Sequence, residues 1–192
     1  WEQDYSCGKA LSPAKQIGTS DLRGTYVEFQ PDEEIFDVLE YSYDTLATRL
    51  RELAFLNKGL TLTLTDERET DENGEYATET FHSEEGLREF VLFLDGNRER
   101  LINDVISMDG EKNGIPVEVA MVYNTSFGEN IHSYVNNINT HEGGTHLAGF
   151  RRGLTSTLKK YAESSGMLDK LKFDIAGDDF REGLTAIVSV KV

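Results

Sequence analysis

The chain holds 192 residues with 38% hydrophobic side chains, enough for a real core in one ordinary domain or two small ones. No run is long and apolar enough to span a bilayer and no signal peptide is visible; the single cysteine, Cys7, excludes an internal disulfide and fits a reducing cytoplasm. A net charge of −16 argues against a surface that binds nucleic acid as a whole, because phosphate affinity comes from clustered Lys and Arg.

Trp1 is neither an initiator Met nor a capping residue, so the sequence reads as a piece of a longer chain. Over residues 24–29, Thr25, Val27 and Phe29 alternate with Tyr26 and Glu28, which predicts a strand ended by Pro31-Asp32. Ser42 is a candidate N-cap, with Tyr41 placed to staple onto Leu46. The helix that follows has a stripe of Tyr43, Leu46, Leu50 and Leu53, and Asn57-Lys58-Gly59 stops it. Leu60, Leu62 and Leu64 alternate with Thr61, Thr63 and Thr65, the period of a half-buried strand. Asn73-Gly74 signals a hairpin turn, with a return strand over residues 76–81.

The pattern changes around residues 83–86, which places a domain boundary there. Leu87, Phe90, Val91 and Leu94 then mark a short helix, and strands are expected over residues 104–108, 116–123 and 130–135. A long helix begins near Thr145 on a stripe of Leu147, Phe150, Leu154, Leu158 and Tyr161. Residues 184–192 are rich in branched side chains and read as a buried strand.

Acid is unevenly spread, with 7 basic and 19 acidic side chains in residues 1–84 against 12 and 16 in residues 85–192. Between His146 and Lys172 the balance reverses: Arg151, Arg152, Lys159, Lys160, Lys170 and Lys172 face only Glu163 and Asp169. A solvated helix face is one reading and a local basic lining the other; composition does not choose between them. His141-Glu142-Gly143-Gly144-Thr145-His146 is not a zinc-protease helix, which needs its histidines four apart on one face. It reads as a loop-to-helix junction with Thr145 as N-cap. Asp178-Asp179 is too poor in neighbouring ligands for a metal pair and reads as helix-start carboxylates. No glycine-rich phosphate loop of the P-loop or dinucleotide type is present.

Three blocks carry a more specific signal: Arg49-Leu50-Arg51-Glu52-Leu53-Ala54-Phe55-Leu56-Asn57, the run from Asn136 to Arg151, and Gly177-Asp178-Asp179-Phe180-Arg181-Glu182-Gly183-Leu184. In this order they resemble the ATPase subunits of bacterial type II topoisomerases, the DNA gyrase B family above all. The ATPase subunits of topoisomerase IV share much of the pattern, and residues 53–57 lean toward gyrase. The resemblance implies an α+β chain: residues 1–84 as the C-terminal part of a GHKL ATPase domain, and residues 85–192 as most of a transducer domain like ribosomal protein S5 domain 2.

It further implies a parent enzyme that uses ATP and Mg²⁺ to pass one DNA duplex through another, as a homodimer working with the gyrase A protein in the bacterial cytoplasm. The catalytic Glu, the Mg²⁺-holding Asn, the adenine-reading Asp and the lid would all precede Trp1. The Lys that reaches the γ-phosphate would follow Val192. No catalytic residue and no metal ligand is then expected here, and the isolated piece should neither hydrolyse ATP nor bind a cofactor. Thr25, with Val27 beside it, is what the resemblance leaves of the ATP-binding pocket; an ordinary strand residue is the rival reading of Thr25. Arg151 matches a position lining the DNA cavity, with a purely structural role as its rival. A non-catalytic S5-like binding or scaffold protein is the alternative of a different class.

Overall fold

The computed structural model describes residues 1–168 and 175–192. The chain divides into two compact units, Trp1–Ser42 and Tyr43–Val192. In the first unit, β1 (Tyr5–Ser6) pairs antiparallel with β2 (Lys9–Ala10). The strand expected over residues 24–29 does not form: the stretch is irregular, and Val27 is 72% exposed. A strand exists through its ladder to a neighbour. No such ladder forms here, so the alternation of Thr25, Val27 and Phe29 has no sheet face to serve.

The second unit opens with α1 (Tyr43–Leu56), which lies against a hairpin of β3 (Thr61–Thr70) and β4 (Tyr76–His82). Ala47, Ala54 and Phe81 are buried between them, with Tyr43, Leu50, Leu62 and Leu64 packed around. The period-two expectation is met, since Leu62 and Leu64 are half-buried while Thr61, Thr63 and Thr65 are exposed. On the open face Thr63 and Thr65 share hydroxyl hydrogen bonds with Thr80 and Thr78, at 3.2 and 3.1 Å. The Asn73-Gly74 turn is held by Asp71, whose Oδ1 accepts the N–H of Asn73 and of Glu75 at 2.8 and 2.9 Å.

The end of α1 enters a second core. Leu56 is buried with Phe90 and Val91 of α2 (Leu87–Asp95), and the Phe55 ring stacks on Phe90 at a centroid distance of 4.9 Å. α1 and α2, on either side of residues 83–86, share this core.

The main sheet has the order β5-β6-β9-β7-β8, built from β5 (Ile106–Lys112), β6 (Ile115–Tyr123), β7 (Asn130–Val135), β8 (Ile138–Asn139) and β9 (Leu184–Val190). β9 is central, antiparallel to β6 and parallel to β7, and all seven of its residues are buried. Ala120, Val122 and Ile187 belong to the core under α2; Met121, Leu184 and Ala186 belong to the core where Phe150 and Leu154 pack. Those two residues come from α3 (Thr145–Ser164), the crossover that a parallel β7–β9 pair requires. Helices thus cover both faces of β9, which explains its unbroken apolar run.

Thr145 is not the N-cap of α3. It is the first helical residue, and the cap position is Gly144 at φ 153°, with no side-chain cap hydrogen bond. A Cβ at Gly144 would stand 2.9 Å from the His146 ring, whose Nε2 meets the Thr140 hydroxyl at 3.1 Å. Backbone freedom, not a hydroxyl cap, turns the chain into the helix here. Along α3 the cover fades: Leu147 is buried, Phe150, Leu154 and Leu158 are half-buried, and Tyr161 is exposed. Among the described residues no helix is long and apolar enough to cross a membrane.

The first two of the three sequence blocks meet in space. Arg49 of α1 donates to the Asn137 carbonyl at 2.8 Å, and Asn137 Nδ2 donates to Asn57 Oδ1 at 3.0 Å. Asn136 and Asn137 make the β7–β8 turn at φ 49° and 67°, a conformation asparagine tolerates better than most residues. At the end of β9, Asn136 Oδ1 accepts the N–H of Val192 at 2.8 Å.

Candidate functional site

With its apolar stripe turned to the sheet, α3 presents a polar side on which Arg151, Arg152, Thr155, Ser156 and Lys159 recur every one to four residues. Together with Ala148 and Arg181 they line an open groove of about 590 Å³ that, among the described residues, has no carboxylate in its lining. On a chain of net charge −16 this is a local reversal of sign. Lys170 and Lys172 of the same basic run lie outside the described residues.

An ion-pair network lies beside the groove and shares Arg151 and Arg181 with it. Glu129, the residue before β7, bridges two guanidiniums: its Oε1 accepts from Nη2 of Arg151 and its Oε2 from Nε of Arg181 at 2.8 Å. Arg181, only 14% exposed in its side chain, also donates to the Thr155 hydroxyl at 3.0 Å, to the Gly177 carbonyl at 2.8 Å and to Asp178. Arg151 is less enclosed at 39%, yet its Nε–H is buried without an acceptor. Asp178 and Asp179 do stand at a helix start, as the cap position and the first residue of a 3-10 helix (Asp179–Arg181). Three residues are too short for an appreciable dipole, so their partners are local: Asp178 pairs with Arg181, and Asp179 Oδ2 accepts the Ala176 N–H at 2.7 Å.

A buried polar knot anchors the loop that leads to Glu129. Asp95, fully buried at the end of α2, accepts on Oδ1 from Asn124 Nδ2 at 2.7 Å and from the Thr185 hydroxyl at 2.9 Å. Its Oδ2 lies 3.4 Å from Arg100 Nε, within ion-pair reach, though it accepts no hydrogen bond. Asn124 also donates its backbone N–H to the Gly183 carbonyl at 2.8 Å. The knot ties α2, the end of β6 and the start of β9 to one point.

Thr25 and Val27 lie in the Trp1–Ser42 unit, exposed and outside any strand, whereas Arg151 belongs to the other unit. The structure groups Arg151 with Glu129 and Arg181, neither of which stands out in the sequence as a site residue. Arg181 falls inside one of the three blocks and could be found there; Glu129 carries no local signal, since its meaning comes from two arginines distant in sequence. Among the described residues no three His, Cys, Asp or Glu side chains gather in a way that could hold a metal ion.

A family model described as DNA gyrase B matches residues 86–192. The chain is 61% identical over 191 residues to the DNA gyrase B protein of Cytophaga aurantiaca, covering all of this chain and 40% of that protein. It is similar in structure to the 43K ATPase domain of Thermus thermophilus gyrase B, solved in complex with an aminocoumarin. There the TM-score is 0.80 and the identity 31%, over 99% of this chain and 51% of that one. The B-subunit of DNA gyrase from Myxococcus xanthus superposes with a TM-score of 0.70 at 26% identity, over 95% of this chain and 49% of that one. The chain thus spans 40% of the Cytophaga relative and about half of each solved chain.

Proposed function

Because the chain belongs to the DNA gyrase B family, we propose that it is part of the ATP-driven component of a bacterial type II topoisomerase that introduces negative supercoils. Residues 1–84 are the C-terminal part of the ATPase domain and residues 85–192 most of the transducer; the family model's start at residue 86 supports that partition. The 61% identity to a gyrase relative over all of this chain favours gyrase over topoisomerase IV and over a scaffold protein. The parent protein uses ATP with Mg²⁺, dimerises, and works with the gyrase A protein on DNA in the cytoplasm. Thr25 and Val27 are its nucleotide contacts in this stretch.

The observation that carries the DNA reading is the groove on α3. Arg151, Arg152, Lys159 and Arg181 line it beside two hydroxyls, with no carboxylate in the lining among the described residues. Guanidiniums and ammoniums in a row match the spaced phosphates of a duplex, and such contacts position the backbone without reading its sequence. The test is fluorescence anisotropy of this chain with a short labelled DNA duplex at low ionic strength. Arg152→Gln and Lys159→Gln each weaken binding and lower the salt slope by about one unit. Binding that ignores both substitutions removes the groove from the DNA path.

A further inference from the structure

Two adjacent asparagines divide their bonds between distant parts of the chain. Asn137 serves α1: its carbonyl accepts from Arg49 at 2.8 Å, and its Nδ2 donates to Asn57 Oδ1 at 3.0 Å. Asn136 serves the chain that leaves β9. Its backbone N–H donates to the Val190 carbonyl at 2.9 Å, its Oδ1 accepts the Val192 N–H at 2.8 Å, and its Nδ2 donates to the Val192 carbonyl at 3.2 Å. Only one planar peptide separates the two sets of bonds, so a shift of one is passed to the other. The α1 side is held incompletely. Asn137 Oδ1 is buried and meets no donor among the described residues, and Arg49 divides its guanidinium between the Asn137 carbonyl and Glu52, the latter at 3.0 Å. A buried acceptor without a donor costs free energy that is recovered when the contact opens to water. This contact is the weak point in the attachment of α1, whereas Leu56 is buried with Phe90 and Val91.

We propose that the Asn136-Asn137 turn is a coupler between α1 and the backbone leaving β9. With α1 seated, the turn holds Val192 in place; when Arg49 and Asn57 let go, Val192 is released. Arg49, Asn136 and Asn137 are thus positioning residues, and the path of the chain after β9 depends on where α1 sits. The contacts carry the coupling by themselves. Its use, to link an ATPase part to a transducer part, rests on the function proposed above.

The experiment is amide hydrogen exchange of the whole chain, read residue by residue by NMR, with thermal melting alongside. Val192 is compared with Lys191, whose N–H donates instead to the Pro116 carbonyl of β6 at 3.1 Å. Asn136→Gly keeps the left-handed backbone and removes the side chain, and speeds Val192 exchange roughly three- to tenfold, the scale of one hydrogen bond. Arg49→Gln, on α1, speeds Val192 exchange by roughly two- to fivefold, within that same scale, and leaves Lys191 unchanged. Arg49→Lys retains a donor for the Asn137 carbonyl and restores protection. Added to Asn136→Gly, Arg49→Gln has no further effect at Val192, because its path runs through Asn136. Val192 exchange that ignores Arg49→Gln overturns the coupling, whether or not Asn136→Gly raises it. Equal acceleration at Lys191 and Val192 in Arg49→Gln, with a lower melting temperature, also overturns it, since general loosening then accounts for the change. Failure of the proposed function shows elsewhere, as duplex binding indifferent to Arg152→Gln and Lys159→Gln, neither of which belongs to the coupler.

Discussion

A Cβ at position 183 would stand 2.2 Å from the carbonyl oxygen of Asn124, on a backbone held at φ +71°. Neither the clash nor the left-handed conformation can be relieved cheaply, since Asn124 is fixed by Asp95 and by its own bond to the Gly183 carbonyl. Gly183→Ala is expected to cost roughly 3 kcal/mol or more, read as a shift in the denaturant midpoint; a cost near zero would show that the knot yields. Two histidines give stability opposite pH dependences. The hydrogen bond to Glu84 raises the pKa of His82 above the ordinary 6.5, so its contribution is full below that value and is lost as pH rises through the folded pKa. Burial lowers the pKa of His132, so its neutral form contributes above 6.5 and that stability is lost as pH falls through its folded value. Melting temperature should therefore fall slightly less as pH rises in His82→Gln, and less as pH falls in His132→Gln. The same sign of change in both variants would refute the assignment. None of this is legible in the sequence: Gly183 looks like any turn glycine, and no local pattern says which histidine lies beside a carboxylate.

At the level of elements, legibility follows the partner. The β3–β4 hairpin can be read from Leu62, Leu64 and Asn73-Gly74 because its pairing is local and its turn chemistry explicit. Residues 24–29 have the same alternation and make no strand, since period two reports a face only where a neighbouring strand completes the sheet. The sequence places the start of α3 at Thr145 as the structure does, but not its cap, because glycines at φ 81° and 153° perform the turn. The stripe of α3 looks uniform in sequence, although its cover fades from Leu147 to Tyr161. Substitutions should reproduce that gradient and the strength of the other core. Phe90→Ala, which empties the contacts to Phe55 and Tyr134, should cost about 3–5 kcal/mol. Leu158→Ala, half-exposed at the far end of α3, should cost less than about 2 kcal/mol. Denaturant titration of both variants checks the order, and equal losses would contradict it.

For the molecule as a whole, the division after Ser42 predicts where protection begins. Trp1–Ser42 has two short strands and many exposed apolar side chains, whereas Tyr43–Val192 holds three cores. Hydrogen exchange should therefore be fast up to Ser42 and slow from α1 onward, with α1, β3 and β4 protected alongside the main sheet. A step in protection near Ser83 instead would show that the two sides of the boundary read from the sequence open separately. The position of β9 has a different consequence, for synthesis on the ribosome. β6 and β7 flank it but are made first, and residues 136–183 must be translated between β7 and β9. At roughly 5–20 residues per second this leaves the nascent chain for about 2–10 s with two facing strand edges and no strand to join them. For that interval the unfinished sheet is open to any other extended segment nearby, so a slow codon placed within residues 136–183 should lower the soluble yield of an unaltered protein.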